Sequence, residues 1–221
     1  MIRFFDIVFS GIAIIILLPL IIPIMIGLKL TGEHYIFYKQ KRVGRYAKNF
    51  KLLKFATMLK NSPELPGGLY TSKNDPRMLP MGKFLRKTKI NELPQLLNIF
   101  VGQMSIVGYR PVVREHYEAY PIDAQQKIYD TMPGLTGIGS IVFRNEEEIL
   151  QLFEDKKMFH RNVINPYKAM IESWYVDHKN ILNYFKIIII TGFMLIKPNS
   201  HIWKKCFNEL PSVPVELEGY I

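Results

Sequence analysis

The sequence predicts an α/β fold of the α+β kind, mostly helical with a small β-hairpin or sheet. It adds an N-terminal membrane re-entrant helix and interfacial amphipathic helices. Three observations carry this. No residue from Ile7 to Leu28 is charged. Residues 35–44 alternate aromatic and polar side chains and then turn at Gly44, and residues 49–58 read as a second strand. Beyond residue 80, apolar residues recur at helical spacing. The 221 residues suffice for one domain with a sizeable core plus an appendage. A 48% apolar content argues against wholesale disorder. The net charge of +10 favours an anionic partner. Nucleic acid is excluded as that partner, because it leaves the long apolar run unexplained. Cys206 is the single cysteine, so no internal disulfide framework exists, which suits a reducing cytosol. The five histidines show no metal-ligand spacing, and no Gly-x-Ser-x-Gly, P-loop or Gly-x-Gly-x-x-Gly pattern is present.

The first element is the apolar run IVFSGIAIIILLPLIIPIMIGL, residues 7–28. At ~1.5 Å per residue it reaches roughly 33 Å, enough to cross a bilayer core. Its length, and the Lys29 and Glu33 that follow in place of a small-residue cleavage site, argue against a signal peptide. Pro19 and Pro23 lie inside it and each removes a backbone donor. Both flanks are basic: Arg3 before, and Lys29, Lys39, Lys41, Arg42 and Arg45 after. Positive charge marks the cytoplasmic side, so a spanning helix would strand one basic flank outside. A helix that enters, bends at Pro19 and leaves on the same side satisfies both facts. A tilted spanning helix and a buried helix are the alternatives. The domains expected are a membrane-embedded helix at 1–30, a cytosolic-face catalytic domain at 31–200 and an irregular tail at 201–221.

A basic hairpin follows, with strands in YIFYKQKRVG and NFKLLKFATM. Residues 62–76 are rich in Pro, Gly, Ser and Asn, hence loop. Residues 81–102 hold two helical pieces, the second with Leu93, Leu96, Leu97 and Phe100 on one face and Asn91 as its N-cap. MSIVGYRPV is a short strand into a turn, and the chain breaks at Pro133–Gly134. Residues 145–180 read as helix, capped by Asn145 and interrupted at Pro166. The ten apolar residues IIIITGFMLI are too few to span, and read as a core helix or strand or as a helix in the membrane interface.

Between Asp75 and Glu115 the only acid is Glu92, among seven cations: Arg77, Lys83, Arg86, Lys87, Lys89, Arg110 and Arg114.

On the segments RFFDIVFSG, FYKQKRVG, FKLLKFATM, NDPRMLPMGKFLRKTKINELPQLLNIFVGQMSIVGYRP and PGLTGIGSIVFRN, the chain resembles the bacterial sugar transferases of the monotopic phosphoglycosyl transferase superfamily. The resemblance runs over roughly residues 2–198 in one order. It implies transfer of a sugar-1-phosphate from a UDP-sugar to undecaprenyl phosphate, with Mg²⁺, at the cytoplasmic face of the bacterial inner membrane. Such a reaction starts polysaccharide or glycoconjugate assembly. It further implies contact with anionic phospholipid and downstream glycosyltransferases as possible partners. The site residues it implies are Asn91 and Glu92 at the catalytic pair, with Arg86, Lys89, Arg110, Lys54, Arg42 and Arg144 binding the phosphates. Glu92 and Glu172 are its candidates for the metal.

The departures bear on mechanism. The family pair is Asp-Glu with the Asp as nucleophile, whereas Asn91 precedes Glu92 here. A carboxamide oxygen brings no negative charge to an attack. Three readings follow: an altered Asp, a branch in which Glu92 is nucleophile or base, or a relative that binds nucleotide sugar or a pathway partner without turnover. Ala56 stands where the family has a cation, Tyr109 replaces a proline, Ser140 a glutamine and Glu172 an aspartate. Leu18 precedes Pro19 where a serine is usual.

Overall fold

The computed structural model describes residues 1–66 and 75–221. The loop expected at 62–76 therefore lies partly outside the described residues. The chain forms two compact units. One comprises Met1–Asp6, Arg42–Phe50 and Gln103–Ile221; the other comprises Ile7–Lys41 and Lys51–Gly102. The expected α+β class, mainly helical with small sheets, is the class observed.

Helix α1 (Ile2–Leu30) runs as one element through Pro19 and Pro23. It is long and apolar enough to cross a membrane, and only 11% of its most apolar window is buried. Strands β1 (Phe37–Val43) and β2 (Asn49–Phe55) pair as the expected hairpin. Their turn holds Tyr46 and Ala47 in left-handed backbone and closes with Gly44 N–H on the Lys48 carbonyl at 2.8 Å. Helices α2 (Gly82–Lys87) and α3 (Gln95–Phe100) are the two expected pieces, with a 3-10 turn at Ile90–Glu92 between them.

This unit packs around α1. Ile24 and Leu28 bury against Phe55 and Leu85, with Met81, Ile90 and Leu93 around them. Nearer the start of the helix, a Cβ at Gly11 would lie 3.3 Å from the Phe100 ring. Elsewhere α1 is bare: Ile12, Ile15, Ile16, Leu20, Ile22 and Ile26 are all exposed. Helix α3 does not bury the face expected from its leucines. Gln95, Leu96, Asn98 and Ile99 point inward, while Leu97, Phe100 and Val101 are exposed.

The other unit contains β3 (Ser105–Val107), α4 (Arg114–Glu118), α5 (Ile122–Tyr129), β4 (Gly134–Thr136), α6 (Ile138–Val142), α7 (Glu146–Leu150), α8 (Lys156–Phe159), α9 (Asn165–Asp177), α10 (Ile181–Ile196) and α11 (Ile202–Cys206). Strand β4 forms where a break was expected, pairing in parallel with β3 in the register Ser105–Gly134 and Val107–Thr136. Pro133 ends the preceding segment and its carbonyl accepts from Ser105 N–H.

The long helical stretch is interrupted at 151–155 and not at Pro166. Asp155 caps α8 by accepting from Met158 N–H at 2.8 Å. A π-helical turn at His160–Ile164 runs directly into α9 at Asn165, so the helix continues past Pro166, whose missing N–H falls beside that turn. Asn145 precedes α7, but its side chain makes no cap bond.

Asp6, at the start of α1, is buried. Its Oδ1 accepts from Ser105 Oγ at 3.0 Å, Ile106 N–H at 2.8 Å and Tyr184 Oη at 2.9 Å. Residues 181–196 form a helix with one face in the core: Tyr184, Ile187, Ile190 and Met194 are buried, while Leu182, Ile189, Leu195 and Ile196 are exposed. The tail is irregular for most of its length yet packed, burying Trp203, Phe207, Leu217 and Ile221.

Candidate active site

The acidic centre lies in the unit built on α1. Glu92 closes the 3-10 turn, and its Oε1 is 3.9 Å from Lys54 Nζ, with both side chains more than four-fifths buried. Lys54 comes from β2, Glu92 from the segment entering α3. The carboxylate and its cation therefore belong to elements brought together only by folding. Arg86, on α2, points NH1 at Met58 Sδ at 3.7 Å.

Lys89 sits between α2 and the 3-10 turn at φ 59, in left-handed backbone. Thr88 N–H reaches Phe84 O and Lys89 N–H reaches Arg86 O, so Lys89 occupies the residue just past the helix end, a position that favours glycine. A side chain there costs roughly 1 kcal/mol or more, and such strain clusters at functional sites.

Asn91 is not the N-cap its position suggested. Glu92 N–H already bonds to Lys89 O and Leu93 N–H to Ile90 O, and Pro94 has no N–H. No donor remains for an Asn91 cap. The residue is 8% exposed, and its Oδ1 has no hydrogen-bond partner among the described residues.

Arg42, Arg110, Arg144 and Glu172 belong to the other unit. Arg110 is exposed and follows the buried Tyr109, whose ring lies 4.4 Å from that of Tyr129. Arg144 is partly exposed and lies within the turn after α6. Glu172, on α9, is 4% exposed. Burial pushes its carboxyl up to about 8, against the opposing pull of Lys168 and of the backbone N–H groups of Arg110 and Gly139. Its fit is tight: a Cβ at Gly139 would lie 2.3 Å from Glu172 Oε1. On the same unit, Glu146 of α7 accepts from His160 at 3.0 Å and from Lys168 at 2.5 Å. Sequence reading missed this cluster, because nothing in the chain's spacing links the three residues.

Mg²⁺ takes oxygen ligands, often one or two from the protein, with water and phosphate completing its octahedron. The Glu92 carboxylate and the unpartnered Oδ1 of Asn91 fit that donor set. Glu172 holds its proton at neutral pH and so offers a cation a neutral oxygen.

Sequence reading also missed Asn98. Its 1% exposure sets it in the core of α3, amid the apolar run LLNIF, and a polar residue in such a run was the available signal.

A sequence model of the family described as bacterial sugar transferase matches residues 1–198. An uncharacterized sugar transferase of Haemophilus influenzae is 33% identical over 203 residues, covering 86% of this chain and 39% of that protein. The exopolysaccharide production protein ExoY of Rhizobium meliloti is 38% identical over 159 residues, covering 65% of this chain and 70% of the relative. The undecaprenyl-phosphate galactose phosphotransferase of Salmonella typhimurium is 32% identical over 209 residues, covering 88% of this chain and 40% of that enzyme. The chain thus spans about two fifths of the length of two of these relatives.

Proposed function

Since the chain belongs to the bacterial sugar transferase family, we propose that it transfers a sugar-1-phosphate from a UDP-sugar to undecaprenyl phosphate. The observation that carries this reading is the Lys54–Glu92 pair, one largely buried carboxylate held beside a cation in the unit built on the membrane helix. Phosphoryl transfer asks mainly for positioning and for cations around developing charge. Arg86 and Lys89 supply further positive charge on the same unit. Glu92 serves either as nucleophile on the sugar-proximal phosphorus or as base for the acceptor phosphate. In both versions UMP leaves. Glu92 and Asn91 Oδ1 would hold Mg²⁺, which when bound neutralises diphosphate charge.

The proposed location is the cytoplasmic face of the inner membrane, with α1 embedded and not crossing. Two features of one unit support this. Phe100 of α3 packs at Gly11, and Met81, beside α2, packs at Gly27. The short segment 88–94 joins those helices and carries Lys89 and Glu92. A helix perpendicular to the bilayer would draw those charges into hydrocarbon, at a cost of about 3 kcal/mol or more for each. Anionic phospholipid and downstream glycosyltransferases are the further partners of this reading.

Incubation of the protein with labelled UDP-sugars, Mg²⁺ and undecaprenyl phosphate tests the proposal, with release of UMP and formation of lipid-linked product as the expected result. Absence of UMP across a panel of sugars overturns it. A second reading has its own observation: Asn91 is buried at the place where the family resemblance puts a nucleophilic Asp. A chain that binds without turnover would stay inactive as it stands and gain activity on Asn91→Asp.

A further inference from the structure

Among the described residues, strand β2 has a neighbouring strand only on its β1 side. Its other edge directs the Lys51 carbonyl and the Leu53 N–H away from the hairpin, as residues two apart on a strand do. Left bare, those groups make an edge strand that frays or pairs elsewhere. Asn98, on α3, meets both. Its Oδ1 accepts from Leu53 N–H at 2.9 Å and its Nδ2 donates to the Lys51 carbonyl at 2.9 Å. The carboxamide thus acts as a one-residue third strand. Being 1% exposed, it forms these bonds away from competing water.

Lys54 follows directly on Leu53. Glu92 lies on the turn that runs through Leu93 and Pro94 into α3, with Leu93 N–H bonded to Ile90 O and Leu96 N–H to Leu93 O. The two-point bond therefore fixes the register of the strand carrying the cation against the helix carrying the carboxylate. We infer that Asn98 is a positioning residue that sets Lys54 against Glu92 for the transfer reaction. The inference rests on the proposed roles of Lys54 and Glu92. The Asn98 bonds themselves stand apart from those roles.

The test is a mutant cycle in the full-length protein. Asn98→Ala should lower kcat by about 10- to 100-fold, the scale of a misplacement near 1 Å, with KM for the UDP-sugar little changed. The double variant Asn98→Ala/Lys54→Ala should be no slower than Lys54→Ala alone, because the amide acts through that lysine. Asn98→Asp keeps the acceptor for Leu53 and loses the donor to Lys51, so it should fall between wild type and alanine; it also serves if the alanine variant fails to fold. Additive losses in the cycle, or wild-type kcat in a folded Asn98→Ala protein, overturn the inference. Two readouts need no turnover: amide exchange at Leu53 and acetylation of the Lys54 amine should both quicken in Asn98→Ala. Should wild type release no UMP, the proposed function fails. Unchanged exchange and labelling would then overturn the positioning role separately.

Discussion

Lys89 is where backbone strain and function can be separated. Its left-handed conformation is one that glycine adopts freely. Lys89→Gly should hold or raise thermal stability, by up to about 1 kcal/mol, while reducing transferase activity through loss of the cation. Melting temperature and UMP release, measured together, check this; a loss of stability would show that the turn needs the lysine side chain. Glu172 yields a pH prediction. As an acid with its carboxyl raised from 4.5 to about 8, it contributes stability fully present below 4.5 and lost as pH rises through 8. His116 opposes it: burial and then the neighbouring His160, Lys168 and Arg42 lower its imidazole to about 4, so its contribution rises with pH up to about 6.5. The Glu172 slope should therefore show between pH 6.5 and 8, as a fall in denaturant midpoint. Glu172→Gln should flatten it, and an unchanged slope in that variant would refute the assignment.

The two strand pairs differ in how far they could be read from the sequence. The β1–β2 hairpin was legible, because aromatic and polar residues alternate up to the Gly44 turn and a strand-like run follows it. The parallel β3–β4 pair was not, because a three-residue strand carries no usable period and its partner lies beyond two helices. What permits it is close backbone approach. A Cβ at Gly134 would lie 2.1 Å from Gly108 N, and one at Gly137 would lie 2.0 Å from Gly108 O. Gly134→Ala should destabilise the protein by at least about 2 kcal/mol, read by chemical denaturation, and a neutral outcome would mean that the pair can separate at little cost. The face of α3 was misread for a different reason. Helical periodicity locates a stripe but assumes that all of it faces inward, whereas Leu93 and Leu96 pack inward and Leu97 and Phe100 face out.

For the molecule as a whole, the N-terminal run was legible as one long apolar helix, and Glu92 was legible as a lone acid among seven cations. The pairing of Glu92 with Lys54 was hidden, since a strand residue and a turn residue 38 positions apart meet only in the fold. The embedded, non-crossing topology proposed for α1 predicts that both its ends face the cytoplasm. Cysteines placed by Ile2→Cys and by Glu33→Cys, in a Cys206→Ser background, should both resist an impermeant thiol reagent added outside intact cells and react after permeabilisation. Outside labelling at one end alone would establish a crossing helix.

The central claim is that Glu92 carries turnover in a chain whose preceding residue is Asn91. It is tested most directly by UMP release from a UDP-sugar in the presence of undecaprenyl phosphate, for the wild type and for Glu92→Gln. The account predicts release by the wild type with Asn91 in place, and a fall of at least about 100-fold in Glu92→Gln. Release unchanged by that substitution would contradict it.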